Sequence, residues 1–379
     1  MKKIQMVDLV SQYEKIKPAV DAAISGVLES AQFINGTEVK AFQEELEAYL
    51  GVKHVIPCAN GTDALQIALM AIGAKPGDEV ITPSFTFIAT TEVIALLGLK
   101  PVFVDVDVDT FCMDTKQLEA AVTNKTIAIV PVHLYGQSAN MEEIMAVADK
   151  HGITVIEDNA QAIGSDYHFS DGRADQKSGT IGQIGCTSFF PSKNLGCYGD
   201  GGAIFTNDDA LAAEMRMIVN HGQSKRYYHD RIGVNSRLDS IQAAVLRIKL
   251  CHLDEYIDAR RKVADHYDQF FAQFPGIKTP VRGKASQHVF HQYTLVLDGI
   301  DRDALNAYLA EKDIPSMIYY PVPGHKQKMF EAFGSAGTEL PVTDWLTERV
   351  LSLPIHTEMD QEQLDYICAG VAEFISVHA

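Results

Sequence analysis

The chain has 379 residues, 46% of them hydrophobic and 22% charged, which is enough apolar material for a large core and argues against wholesale disorder. Thirty-two Lys+Arg against fifty Asp+Glu leave a net charge of −18, so a general nucleic-acid binder or a protein held on anionic membrane is not expected. The opening MKKIQMVDLV has no apolar run of signal-peptide length, no stretch nears the roughly 18 apolar residues of a spanning helix, and six scattered cysteines without a CxxC pair fit reduced thiols. The expectation is a soluble cytoplasmic protein.

From about residue 50 to 205, short apolar or β-branched runs read as strands at 54–58, 79–83, 100–106, 126–133, 153–158, 186–190 and 202–206. Several are almost continuously apolar, as strands covered on both faces are. Helical patterns lie between them, with 63–73 and 141–152 each ending at a glycine. This alternation predicts an α/β fold with a mostly parallel sheet. After about 238 the pattern changes. A long helical stretch, 240–274, carries a break near Cys251–Leu253, and a strand-like run (291–299) and helices at 302–312 and 361–375 follow. The predicted division is a large α/β domain, 1–245, and a smaller α+β domain, 246–379.

Three segments carry candidate chemistry. In CANGTDAL (58–65) a strand ends in a turn and opens a helix; Asn60 suits an N-cap, Gly61 permits close approach, and the free first-turn N–H groups with the Thr62 hydroxyl form a phosphate cradle. Taken alone, the segment reads more readily as an ordinary capped turn. In ITVIEDNAQAIGS (153–165), Asp158 falls at the carboxyl end of an apolar strand, where α/β sheets place ligand groups, with Gln161 three residues on. The simpler alternative is a helix cap. In TSFFPSKNLGCYGDGGAIFTN (187–207), Lys193 lies in a Ser/Pro/Gly-rich loop between two strands, where desolvation would activate it for a Schiff base, though most loop lysines are merely solvated. Gly179, Gly182 and Gly185 have the wrong spacing for a dinucleotide fingerprint. His288 and His291 lack a third ligand, and Asp105, Asp107 and Asp109 lack the rest of a calcium loop and read as a solvated strand end, so no metal site is expected. A phosphate cradle, a carboxylate for a pyridinium nitrogen and a Schiff-base lysine are together what pyridoxal phosphate requires.

SFFPSKNLGCYGDGGAIFTND, EDNAQAIGS, CANGTDAL and GVNSRLD resemble the DegT/DnrJ/EryC1/StrS sugar aminotransferases from about residue 4 to the C-terminus, and within that group the UDP-2-acetamido-2-deoxy-3-oxo-glucuronate 3-aminotransferases of surface-polysaccharide and lipopolysaccharide pathways. The resemblance implies a fold-type I, aspartate aminotransferase-like α/β enzyme using pyridoxal 5'-phosphate. It gives Lys193 the Schiff base and the proton transfer, Asp158 the pyridine nitrogen, Gln161 the ring hydroxyl, Phe85 the ring face, and Gly61, Thr62 and Ser188 the phosphate. It also implies a homodimer with shared active sites, in which Asn235 reaches the neighbouring subunit's cofactor phosphate. L-glutamate, released as 2-oxoglutarate, would be the donor and a nucleotide-linked keto-sugar the acceptor.

For the acceptor, Arg216, Lys225, Arg226, Arg231 and Arg237 stand against one acid, Asp230, between 216 and 237, a local basic patch suited to a pyrophosphate. Arg237 is the expected carboxylate partner, with His133, Tyr319, Tyr320 and His325 lining the sugar pocket. Where uronate-specific members carry His-Tyr-Pro, this chain has Tyr319-Tyr320-Pro321, which keeps a hydrogen-bond donor but no charge and leaves a 3- or 4-keto-6-deoxy sugar open. A dehydratase of the same fold would replace the lysine by histidine, and a non-catalytic regulator would not need Lys193, Asp158, Gln161 and Ser188 intact.

Overall fold

The computed structural model describes residues 2–335 and 337–378. Two helices, Leu9–Ser30 and Thr37–Leu50, precede the first strand. Then come β1 (His54–Cys58), β2 (Glu79–Pro83), β3 (Lys100–Val104), β4 (Thr126–Ile129) and β5 (Thr154–Asp158). A short ladder of β6 (Asp166–Tyr167) with β7 (Gln176–Lys177) separates these from β8 (Ile184–Ser188) and β9 (Gly202–Thr206). The seven longer strands form one sheet in the order β3-β2-β4-β5-β8-β9-β1. β9 runs antiparallel to both its neighbours, and the rest are mutually parallel. Every residue of β2 and β9 is buried; β9 is apolar up to Thr206, as a covered strand is, whereas in β2 the Glu79 carboxylate is met by Lys100 Nζ at 3.0 Å.

Several elements differ in extent from the sequence reading, three of them for a local reason. The 126–133 run stops as a ladder strand at Ile129, because Pro131 offers no N–H and Val132 makes only an isolated bridge to Asp158. β8 begins at Ile184, since Ile184 and Gly185 already pair with β5, and it ends at Ser188 where the Lys193 loop departs. The helix expected at 63–73 starts earlier, at Gly61, capped by the Asn60 side chain, which accepts from Asp63 N at 2.8 Å. The long helical stretch does break where expected, into Ser240–Leu250 and Leu253–Phe271.

Beyond an exposed hairpin of β10 (Gln223–Lys225) and β11 (Tyr228–His229), a three-stranded antiparallel sheet of β12 (Ile277–Lys278), β13 (Tyr293–Leu297) and β14 (Val350–Leu353) forms. Leu253–Phe271, Arg302–Glu311 and Gln361–His378 pack on it around Tyr267, Phe271, Leu295, Leu309, Leu351 and Ile367. Ile4 belongs to this second core, so the N-terminal segment crosses from it to the helix at Leu9. Asp105 is not a solvated strand end. It is 1% exposed, and its carboxylate accepts from Val342 N, Thr343 N and Thr343 Oγ1 at 2.7–2.9 Å, holding the start of the helix Pro341–Thr347.

Candidate active site

The parallel strands β1, β2, β5 and β8 all end on one side of the sheet, and each candidate segment leaves from such an end. From β1 the chain turns into the helix Gly61–Ala71, whose first intrahelical bond is Ala64 N to Asn60 O; the N–H groups of Gly61 and Thr62 therefore lie before the ladder begins. Ser188, at the end of β8, packs directly on Gly61: a Cβ there would come within 2.7 Å of the Ser188 Cβ. Gly202 is small for the same reason, since its Cβ would meet the Asn60 carbonyl carbon and oxygen at 2.4 Å. Ser236, fully buried, accepts from Ala59 N at 3.0 Å and anchors the GVNSRLD segment to this turn, a role that local sequence gave no sign of.

Asp158 is 5% exposed. Its Oδ2 accepts from the Thr90 hydroxyl at 2.7 Å and its Oδ1 from Ala160 N at 3.1 Å, so the carboxylate is fixed while retaining lone pairs. Thr90 also reaches the carbonyl of Phe87, one turn back after β2, at 3.2 Å. Lys193 lies half-buried in the β8–β9 connection and, among the described residues, its Nζ has neither a hydrogen bond nor an ion pair. Burial pushes its ammonium down to about 8, against the pull of the Asp158 carboxylate, so a substantial neutral fraction exists near physiological pH. Gln161 accepts at Oε1 from Tyr135 N (2.7 Å) and donates from Nε2 to Tyr320 Oη (3.0 Å).

The aromatic wall differs from expectation. Phe85 has no free face: it is 0% exposed and enclosed by Phe111, Tyr135 and Tyr320, with ring centroids 6.2–6.4 Å away. Phe87, two residues on, is 53% exposed and lies 6.2 Å from Tyr320. The ring available to stack on a planar ligand is therefore Phe87.

Two expected substrate contacts are corrected outright. His133 is completely buried: Nδ1 accepts from Ala139 N at 3.1 Å and Nε2 donates to Glu157 Oε2 at 2.7 Å, which leaves the ring nothing to offer a sugar. The same Glu157 carboxylate accepts from the backbone N–H groups of Gly179, Ile181 and Gly182 at 2.5–2.8 Å. This explains the glycines that imitate a nucleotide motif: they wrap the backbone around a buried carboxylate. His325 is 4% exposed, with Nδ1 2.7 Å from Ser84 Oγ, which in turn accepts from His325 N at 3.0 Å; it docks its loop on the end of β2 instead of facing a ligand. His288 stacks on Phe290, its Nδ1 accepting from Phe290 N at 2.9 Å.

Tyr319 lines a cavity of about 300 Å³ together with Ser192, His291, Gln292 and the N-terminal residues Gln5, Met6, Val7 and Leu9. Arg237 is half-buried and Asn235 exposed, and among the described residues neither side chain has a partner. Of the other basic residues, Arg231 pairs with Glu214 at 2.8 Å and Arg216 reaches His54 at 3.4 Å, while Lys225 and Arg226 stack on Tyr228 and Tyr227.

This set fits pyridoxal phosphate on observations of the fold itself: a cradle that a Cβ at position 61 would fill, a fixed buried carboxylate, an unpartnered amine with a lowered pKa, and an exposed ring. The sequence pattern of the DegT/DnrJ/EryC1/StrS aminotransferase family matches residues 14–372. The chain belongs to this family. It has relatives that match it over 97–98% of its length. It is 48% identical to the UDP-2-acetamido-2-deoxy-3-oxo-D-glucuronate aminotransferase of Pseudomonas aeruginosa (97% of this chain, 99% of that one). It is also 48% identical to a protein of Geobacillus stearothermophilus named a pleiotropic regulatory protein (98% of each). A UDP-N-acetyl-3-dehydro-α-D-glucosamine 3-aminotransferase of Acidithiobacillus ferrooxidans is 46% identical (97% of each). A crystal structure of a DegT/DnrJ/EryC1/StrS aminotransferase from Brucella abortus superposes with a TM-score of 0.92 at 42% identity over 98% of this chain and 99% of that one. NtdA from Bacillus subtilis, whose structure holds the cofactor PMP, gives 0.88 at 30% identity over 98% and 83%. The family fold is thus the fold-type I α/β architecture described above, and this chain is a pyridoxal phosphate-dependent sugar aminotransferase.

Proposed function

We propose that the protein moves the amino group of L-glutamate to C3 of a UDP-linked 3-keto sugar, UDP-2-acetamido-2-deoxy-3-oxo-glucuronate, for surface-polysaccharide synthesis. The observation that carries this reading is the unpartnered Lys193 amine set against Asp158, in a chain whose strong relatives include two enzymes named for 3-oxo or 3-dehydro UDP-N-acetyl sugars. When bound, the cofactor supplies an electron sink and carries the amine between donor and acceptor. Lys193 Nζ, in its neutral form, would join the cofactor's carbonyl carbon with loss of water and would later move protons at the substrate carbon. Asp158 would keep a proton on the ring nitrogen, Gln161 would donate to the ring oxygen, and Phe87 would cover a ring face. Gly61, Thr62 and Ser188 hold the phosphate.

We propose further that the protein is a cytoplasmic homodimer in which Asn235 reaches the neighbour's cofactor phosphate and Arg237 holds a substrate carboxylate. Their lack of partners among the described residues supports this, as does the exposed apolar surface at Tyr227, Tyr228 and Ile232. Six free cysteines agree with a reducing compartment. The separate apolar cluster around Tyr267 and Leu351 supports the division into 1–245 and 246–379. A non-catalytic role, to which the name of the Geobacillus relative points, is disfavoured by the intact lysine and carboxylate. The donor is tested by adding L-glutamate, L-glutamine or L-aspartate to the holoenzyme and measuring the keto acid released; only 2-oxoglutarate from glutamate agrees, and a preference for another donor overturns that part.

A further inference from the structure

Tyr320 was expected to contact the sugar, but its hydroxyl is committed to Gln161. A backbone N–H can only donate, so the 2.7 Å bond from Tyr135 N fixes which end of the Gln161 amide is oxygen. Nε2 then faces Tyr320 Oη at 3.0 Å and must donate to it. An amide nitrogen has two N–H groups, and the Tyr320 bond takes one of them.

The tyrosine is itself held from three sides. Its ring packs edge-on to Phe85 (6.3 Å) and lies 6.2 Å from Phe87. The preceding carbonyl, Tyr319 O, accepts a hydrogen bond from the Tyr135 hydroxyl. The Tyr135 main chain and side chain thus grip both ends of a closed circuit, Tyr135–Gln161–Tyr320–Tyr319. Burial raises the Tyr320 phenol pKa, so it remains a neutral acceptor across the working pH range.

We infer that Tyr320 is a positioning residue that acts through Gln161. It holds one amide N–H so that the other is presented to the cofactor ring oxygen, and it links that contact to the Tyr319 cavity wall. The inference rests on the placement of the cofactor against Asp158 and Gln161. Without the hydroxyl, Nε2 loses its fixed partner and only the Tyr135 N–H bond to Oε1 still restrains the amide.

The test is a spectroscopic pH titration of the holoenzyme carrying Tyr320→Phe, Gln161→Ala, both or neither, with steady-state kinetics alongside. The expected result is that Tyr320→Phe shifts the pH midpoint of the bound-cofactor band in the same direction as Gln161→Ala and loosens the cofactor by about tenfold, the loss of roughly one buried hydrogen bond. The nucleotide-sugar KM should change little while kcat falls. In the Gln161→Ala background the second substitution should add nothing, since the coupling is complete when one residue acts only through the other. An unshifted midpoint with a raised KM would make Tyr320 a substrate contact, and additive effects in the double variant would separate it from Gln161; either overturns the inference. Absence of any bound-cofactor band in the unmodified protein would instead overturn the placement of the cofactor, and this inference with it. If Tyr320→Phe does not fold, Tyr320→His, which restores an acceptor, should return the wild-type midpoint; failure to do so counts against the proposal.

Discussion

The Thr90 hydroxyl donates to Asp158 Oδ2 at 2.7 Å, linking the segment after β2 to the carboxylate at the end of β5. A hydrogen bond to a charged group at a buried site contributes roughly 1.5–3 kcal/mol. Thr90→Val keeps the shape and removes the donor. It should weaken cofactor binding and slow turnover by about ten- to a hundredfold with little change in fold, as read by cofactor titration and circular dichroism. Unchanged affinity would mean that Asp158 is held adequately by Ala160 N alone.

On the proposed reading Lys193 is both covalent partner and proton carrier, so Lys193→Ala should lower turnover by at least about a thousandfold. The unmodified apoprotein offers a gentler check. Only the neutral amine attacks the cofactor carbonyl, and its pKa is about 8. The rate of holoenzyme formation should climb with pH up to about 8 and then level off. A rate still rising tenfold per unit beyond pH 9 would show an ordinary solvated lysine.

Gly61 has no room for a side chain, because a Cβ would lie 2.7 Å from that of Ser188. Gly61→Ala should push the two walls of the cradle apart and cost about tenfold or more in cofactor affinity. Free pyridoxal, which lacks the phosphate, should bind the variant and the wild type alike. Equal losses for both ligands would move the phosphate elsewhere.

Among the described residues no carboxylate pairs with the buried Lys249, whose ammonium lies 5.3 Å from the Tyr198 ring, and burial lowers its pKa to about 8 from 10.5. The folded state therefore disfavours the charge: the cost is full below pH 8, shrinks between 8 and 10.5, and disappears above. That difference is on the order of 3 kcal/mol at neutral pH. Lys249→Met should raise stability by about 1–2 kcal/mol at pH 7 after loss of the cation–π contact, with the gap closing as pH rises toward 10. Denaturant melts at three pH values would check it, and a destabilised variant would indicate a required charge.

Lys193, Asp158, Gln161 and the 58–62 turn were legible because each is a local event, a residue type at a strand end or in a loop whose composition signals its geometry. The errors all lie where a distant group decides. Nothing near His133 says that Glu157 needs a fourth donor beside the N–H groups of Gly179, Ile181 and Gly182. Phe85 and Phe87 occupy equivalent places in PSFTF, and only the arrival of Tyr135 and Tyr320 covers the first and leaves the second open. Asp105 looks like a solvated end until the helix Pro341–Thr347 settles on it from 237 residues away. Periodicity located strands well, but their ends depended on Pro131 and on the partners available to Ile184.

The most direct measurement is a half-reaction. The holoenzyme is converted to its amine form with glutamate, freed of donor, and mixed with UDP-2-acetamido-2-deoxy-3-oxo-glucuronate while the aldehyde-form absorbance of the cofactor is followed. Rapid return of that absorbance, with a UDP-3-amino sugar in the product, is the expected result. No return with this acceptor, after a clean response to glutamate, would contradict the proposed substrate, and return only with 4-keto-6-deoxy sugars would put the amination at a different carbon.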